Sequence, residues 1–273
     1  MKRSKKDLEL EFIYNELFDK MVELVLRYNE PQIVASTMMA QAMRLYKTVF
    51  KHDGEYPKST RSSVDGHRHY DLGEAKLPSV TTILSATQPP EKMKALAAWK
   101  LRVGEDEAAR IVDNSATRGT AMHRIIESYL TGQYHLDLTD VGRNAHNMAQ
   151  TIIDKGLANK INEYYGMEAT LYYPDLYAGA TDLIAQHIGC DSIIDFKQTN
   201  KPKKREWIED YFIQVAAYAM AHDHVYGTKI DKCIIMMCDP NNVYQEFVIR
   251  GYEIRNYKYR FLKRLDQYYN QKK

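Results

Sequence analysis

The chain has 273 residues, 44% of them hydrophobic, enough for one large domain or two small ones around a real core. A net charge of +2 and a pI near 8.2 do not mark a nucleic-acid binder by bulk charge, and no apolar run nears the roughly 18 residues of a membrane span. Three cysteines, Cys190, Cys233 and Cys238, are odd in number and lack a Cys-x-x-Cys spacing, which argues against a disulfide framework or zinc site and for reduced thiols in a cytosol.

The basic start, Lys2 to Lys6, is followed at once by Asp7, Glu9 and Glu11, unlike a transit peptide or an apolar signal. From about Asp7 to Phe50 the apolar spacing is helical, with Leu10, Ile13, Leu17, Met21 and Leu24. A break near Asn29-Glu30-Pro31 predicts two helices. His52 to Pro78 is rich in Gly, Pro, Ser and charge, with short strand-like pieces, and is the expected boundary, with His67-Arg68-His69 in an exposed loop. Pro78-Ser79-Val80-Thr81 then enters a helical stretch that runs to Gly104. Hydroxyls such as Ser79 and Thr81 cap such an entrance, or hold a phosphate there.

Between Ala116 and Leu130 a helix is expected to start near Gly119, with Met122, Ile125, Ile126 and Tyr129 on its buried side. Arg118 beside that start could meet a phosphate. His123 and Glu127, one turn apart, fit a metal ligand supported by a carboxylate, and equally a satisfied core histidine. A helix from about Asp140 to Gly156 follows, and Glu168 opens the strand Ala169 to Tyr173, which turns at Pro174-Asp175.

The chain is organised around the next two strands, Tyr177 to His187 and the run Ile193-Ile194-Asp195-Phe196-Lys197. Alternation puts Asp195 and Lys197 on one face, Ile194 and Phe196 on the other. A two-residue connection at Ile188-Gly189 would set His187 opposite Cys190, Asp182 opposite Asp195, and the small Ala180 opposite Lys197. Opposed carboxylates need a compensating cation, and hard oxygen ligands suit Mg2+ or Mn2+. Lys197 beside them could hold or activate a water for attack on phosphorus. From these residues alone, an exposed hairpin ending in charge fits as well.

A basic run, Lys201-Pro202-Lys203-Lys204-Arg205, follows directly. Glu206 to His222 reads as a helix with Trp207, Tyr211, Gln214 and Tyr218 along one face, then come strands over about Lys229 to Cys238 and Val243 to Arg250. A closing helix runs from Tyr252 to about Tyr269, within a Lys-, Arg- and Tyr-rich tail from Arg255 to Lys273.

Gly119, His123 and Glu127, then Gly179 and Asp182, Asp195 and Lys197, and Gln214 and Tyr218 occur in an order that resembles the PD-(D/E)xK nuclease superfamily. The likeness is to its RecB-like branch, nearest the mitochondrial genome maintenance exonucleases and the small RecB-type exonucleases of bacteriophages. The resemblance covers roughly Leu77 to Tyr218. It implies an α/β fold, a restriction-endonuclease-like mixed central sheet flanked by helices, with residues 1–60 as a helical N-terminal extension and 61–273 as the nuclease domain. It implies that His123, Asp182, Asp195 and the main-chain carbonyl of Phe196 bind Mg2+ or Mn2+. Lys197 is then the catalytic lysine, and Gln214 and Tyr218 support the site and the DNA. Glu127 and Glu168 match acidic positions of variable role. Arg118, Ser79, Thr81, Lys203 and Lys204 are expected DNA contacts.

Two departures stand out. Gln198 precedes Thr199 where the family has a hydroxyl directly after the lysine, and the four-cysteine iron–sulfur arrangement is missing. The implied activity is exonucleolytic hydrolysis of DNA, single-stranded or from free ends, in repair or recombination, in a bacterial or phage-infected cytosol, with no membrane partner. A superfamily endonuclease or a non-catalytic DNA-binding module are the alternatives.

Overall fold

The computed structural model describes residues 5–38, 56–57, 59–64, 66–73, 75–132 and 139–271. By internal contacts the chain divides into two compact units, Met1–Lys51 with Arg124–Leu136, and His52–His123 with Asp137–Lys273. In the first, α1 (Lys5–Tyr28) ends at Asn29, whose φ of 53° leaves the helical region, and Pro31 opens α2, helical over 31–38. The rest of the expected second helix, to Phe50, lies outside the described residues, as do Lys2 to Ser4 and the last two lysines.

The second unit carries two sheets. A small antiparallel one, β1 (Thr60–Val64), β2 (His67–Asp71) and β3 (Lys76–Pro78), gathers the short strand-like pieces of the expected boundary stretch. His69 is therefore not in an exposed loop: it lies in β2, 9% exposed, with Nδ1 3.1 Å from the His67 carbonyl. Ser79 caps α3 (Val80–Ala86) by accepting from the Thr82 N–H, and α4 (Pro90–Val103) follows.

α5 spans Glu105–Thr131, so Gly119 lies within a helix and not at its start. The acidic Glu105, Asp106 and Glu107 suit its true N-terminus, where the helix dipole is positive. α6 (Asp140–Ile152) runs into a wider turn at Ile153–Leu157.

The larger sheet has the order β4-β5-β6-β7-β8: β4 (Ile161–Tyr173), β5 (Tyr177–His187), β6 (Cys190–Gln198), β7 (Lys232–Cys238) and β8 (Tyr244–Arg250). It is a mixed sheet, antiparallel except where β6 pairs with β7. That parallel step needs a crossover, supplied by α7 (Glu209–Tyr226). β7, Lys-Cys-Ile-Ile-Met-Met-Cys, is buried throughout, as a strand covered on both faces must be. Cys233, Ile235 and Met237 join the core under α7, together with α3 and the closing helix α8 (Tyr252–Asn270). Met236, on the opposite side, lies against Gly156, where an added Cβ would come within 2.7 Å of its sulfur.

Candidate active site

The β5–β6 connection is the two-residue turn expected. Ile188 and Gly189 have φ of 50° and 71°, and the left-handed Ile188 is held by its N–H to the Lys160 carbonyl at 2.7 Å. His187 pairs with Cys190, and the ladder continues in the expected register to Leu183 opposite Ile194. There it stops. Asp182 and Asp195, next in line, are not a ladder pair, and neither are Ala180 and Lys197; Ala180 pairs with Thr170 of β4 instead. The reason is local: the Asp182 carboxylate accepts the Phe196 N–H at 2.6 Å, so a side chain replaces the main-chain partner and the strands fork.

The fork gathers charge. β4 carries Glu168 between Met167 and Ala169, which pair with Leu183 and Thr181, so Glu168 is level with Asp182. Its φ of 46° is uncommon for a side chain of this size and marks a constrained position. From α5, His123 sets Nε2 3.0 Å from the Phe196 carbonyl and Nδ1 3.5 Å from Asp182. Because a carbonyl only accepts, Nε2 is the donor in that bond. One ligand atom each from His123, Glu168 and Asp182 lie within 4.8 Å of one another, a group able to hold a metal ion. Asp195 is 1% exposed, its Oδ2 ion-paired with Lys197 but without an aligned hydrogen-bond donor. An imidazole and several hard carboxylate oxygens gathered in a buried place fit a divalent cation.

The electrostatics follow from this crowding. Burial pushes the Asp195 carboxyl up, to about 6, and Asp182 adds to the rise while Lys197 opposes it. Burial works against charge on Asp182 too, but His123, Lys197 and the Phe196 N–H together hold it below its usual range. Burial disfavours the imidazolium of His123, yet attraction to Asp182 and Asp195 outweighs it and raises the ring. Lys197 behaves alike: burial lowers it, Asp195 and Asp182 lift it above its ordinary value. Glu168 is raised by burial and by Asp182, with Arg61 opposing.

Around this group, Lys197 Nζ lies 5.2 Å from the Tyr211 ring centre, and Gln214 donates to the Tyr218 hydroxyl at 3.0 Å, both side chains buried. Gly179 explains how Tyr218 fits. A Cβ there would stand 2.5 Å from Tyr218 Cε1, so only glycine lets the ring pass. Trp207, by contrast, is not on that helix face: it ends a short 3-10 turn (Arg205–Trp207) ahead of α7, 58% exposed, with Lys204 5.4 Å over its ring.

Arg118 donates to Gln198 Oε1 at 2.9 Å and to Asn200. Thr199 is buried and its hydroxyl donates to the Lys201 carbonyl at 2.8 Å. Ser79 is buried with its hydroxyl bonded to Thr82, while Thr81 is exposed. Lys203 is half-buried and Lys204 exposed; Glu127 is exposed, lies in the first unit and is not a member of the metal-capable group. Arg61, which the sequence did not single out, reaches Glu168 from β1 at 3.0 Å and lies 5.9 Å from the Tyr70 ring centre. Tyr70 in turn accepts the Ala180 N–H at 3.1 Å. No short-range signal links residues so far apart in the chain.

A mixed α/β sheet that forks around a metal-capable cluster defines the class of this molecule. No family model matches the chain. Mitochondrial genome maintenance exonuclease 1 of Mus musculus is 31% identical over 175 residues, 61% of this chain and 51% of the mouse protein. The Homo sapiens protein of the same name is 27% identical over 209 residues, 72% of this chain and 59% of the human one. The chain spans about half the length of the curated relatives it matches. Among solved structures, the alkaline exonuclease of Laribacter hongkongensis overlaps loosely, with a TM-score of 0.28 and 19% identity over 56% of this chain and 83% of that one. Over the matched span the chain is similar in sequence to the mitochondrial genome maintenance exonucleases, the resemblance its motif order led one to expect. No helix among the described residues is long and apolar enough to cross a membrane.

Proposed function

We propose that the chain is a metal-dependent exonuclease that hydrolyses phosphodiester bonds of DNA, single-stranded or from free ends. The observation that carries this reading is the meeting of His123, Glu168 and Asp182 within 4.8 Å, beside the Lys197–Asp195 ion pair. Asp182, Asp195, His123 and the Phe196 carbonyl are the groups that would hold Mg2+ or Mn2+, with Glu168 alongside. Such an ion supplies Lewis-acid polarisation of the phosphate and a more acidic bound water. Lys197 orients the attacking water by donating to it and offsets negative charge developing on the phosphate oxygens. Arg61 holds the Glu168 carboxylate, while the bonded Gln214–Tyr218 pair packs against Gly179 of the strand that carries Asp182. The free thiols suit a reducing compartment.

Digestion of 5′- and 3′-labelled linear single strands, with a circular strand in parallel, tests the reading. Cleavage of the linear strands in Mg2+ or Mn2+, none in chelator, and intact circles are expected. Cut circles would make the protein an endonuclease, and no cleavage in either metal would leave a DNA-binding module.

A further inference from the structure

We propose that the cleft between α4, α5 and the segment after β6 is a binding site for single-stranded DNA, stacking a base on Trp99 and holding the adjoining phosphates with Lys201 and Lys203. It deepens the nuclease reading, since the strand it holds would be the one that is cut. The cleft has a volume of about 610 Å³ and contains none of the metal-capable residues. Trp99, Ile111 and Val112 form its apolar part; Ser115, Asn200, Lys201 and Lys203 form the polar part. No carboxylate lines it, so charge complementarity favours an anion, and an aromatic face beside two ammonium groups suits a base and its phosphates.

The walls are suited to a ligand and not to the core. α4 buries none of its 14 residues, leaving Trp99 half-buried. The opposite wall is fixed in place. Thr199 N–H donates to the Cys238 carbonyl, its hydroxyl to the Lys201 carbonyl, and Gln245 bonds both the N–H and the C=O of Lys203, at 2.7 and 2.9 Å. Asn200 is tied to Ser115 across the cleft floor at 3.0 Å and to Arg118. The lysines are thus presented on an ordered backbone, which reduces the entropy lost on binding.

The cleft also continues into the catalytic strand. Asn200 is three residues beyond Lys197, a chain distance of at most about 11 Å. Gly119 brings α5 against that strand end, where an added Cβ would stand 3.2 Å from Gln198 Cγ. Trp207, the aromatic next to the basic run in sequence, is exposed, has Lys204 over its ring and does not line the cleft.

The chain has two tryptophans, which makes the sites separable. Titrating an oligothymidylate in chelator, where nothing is cut, should quench emission of Trp207→Phe, which retains Trp99, and leave Trp99→Phe unquenched. By anisotropy, Trp99→Ala should weaken binding by about 5- to 100-fold and Trp99→Phe much less. The Lys201→Ala/Lys203→Ala pair should reduce the salt dependence of binding by about 1.4 in log–log slope. Quenching confined to Trp99→Phe, equal quenching by a blunt duplex, or wild-type affinity in Trp99→Ala would overturn the proposal. Cleavage persisting in that last case would leave the nuclease reading standing. Quenching at Trp99 with no cleavage in either metal would do the reverse.

Discussion

The two ends of the β5–β6 ribbon each meet a lysine, Lys232 of the adjoining β7 at the turn end and Lys197 of β6 at the other, and they treat it in opposite ways. At the turn end Lys232, 2% exposed, donates to His187 Nδ1 at 2.7 Å and to the His187 carbonyl at 3.0 Å, while His187 Nε2 bonds the Gly156 carbonyl at 3.1 Å. Its hydrogen-bond acceptors there are neutral, so burial, then Arg250, draws Lys232 below its usual range. Strands stay in register beside it. At the fork Lys197 faces Asp195 and Asp182 instead and is raised, and the ladder ends. A polar nest whose donors and acceptors match is complete in itself, whereas carboxylates crowded about one ammonium ask for a further cation. Burial of a lysine alone therefore does not single out a candidate active site; the acids gathered around Lys197 do.

The largest effect expected lies at the fork. Asp195→Asn and Lys197→Ala should each slow release of labelled nucleotides by about 100-fold or more, with oligonucleotide anisotropy in chelator little changed. Wild-type cutting by either variant would discredit the site. At the turn end Lys232→Met should leave cleavage per folded molecule unchanged and cost about 1–3 kcal/mol in urea unfolding, because His187 Nδ1 and the carbonyl lose their donor. A loss of cleavage there would erase the contrast between the two ends.

Gly179→Ala probes how the fork is packed. The new methyl must displace the Tyr218 ring, for about 1–3 kcal/mol of stability and a slower cut; unchanged kinetics would show the Gln214–Tyr218 bond to be dispensable. The smallest effect is in pH. Burial, then Lys232, holds His187 below the ordinary imidazole value of about 6.5, so below that pH the unfolded chain takes up a proton that the native ring refuses. The His187 contribution to the unfolding free energy should therefore fall as pH drops from 7 towards 5. His187→Gln, which titrates nothing, should remove that contribution, so that the gap between wild type and variant shifts against the wild type on acidification; a gap independent of pH would discount His187.

What was legible in the chain was local. The alternation that puts Asp195 and Lys197 on one face, the two-residue turn at Ile188-Gly189 and the i,i+4 spacing of Gln214 and Tyr218 all depend on neighbours within a few residues. Less legible were features that distant contacts decide. α5 was expected to begin near Gly119 because glycine punctuates helices, but here it removes a Cβ that would meet Gln198. The stretch from Thr60 to Pro78 was expected to be a loop with strand-like pieces, since short polar strands such as Thr-Arg-Ser-Ser-Val lack strong β character and rely on cross-strand partners.

By itself, then, the sequence determined the periodic elements, the strand that bears Asp195 and Lys197, and the ordered motifs that carry its resemblance to the exonucleases. Only the tertiary structure decided that the ribbon forks at Asp182, that Glu168 turns a left-handed backbone to stand level with it, and that Arg61 arrives from a second sheet. Those outcomes depend on groups brought together from more than a hundred residues apart in the case of Arg61 and Glu168. Side-chain propensity acts over a few residues, and so carries no trace of them.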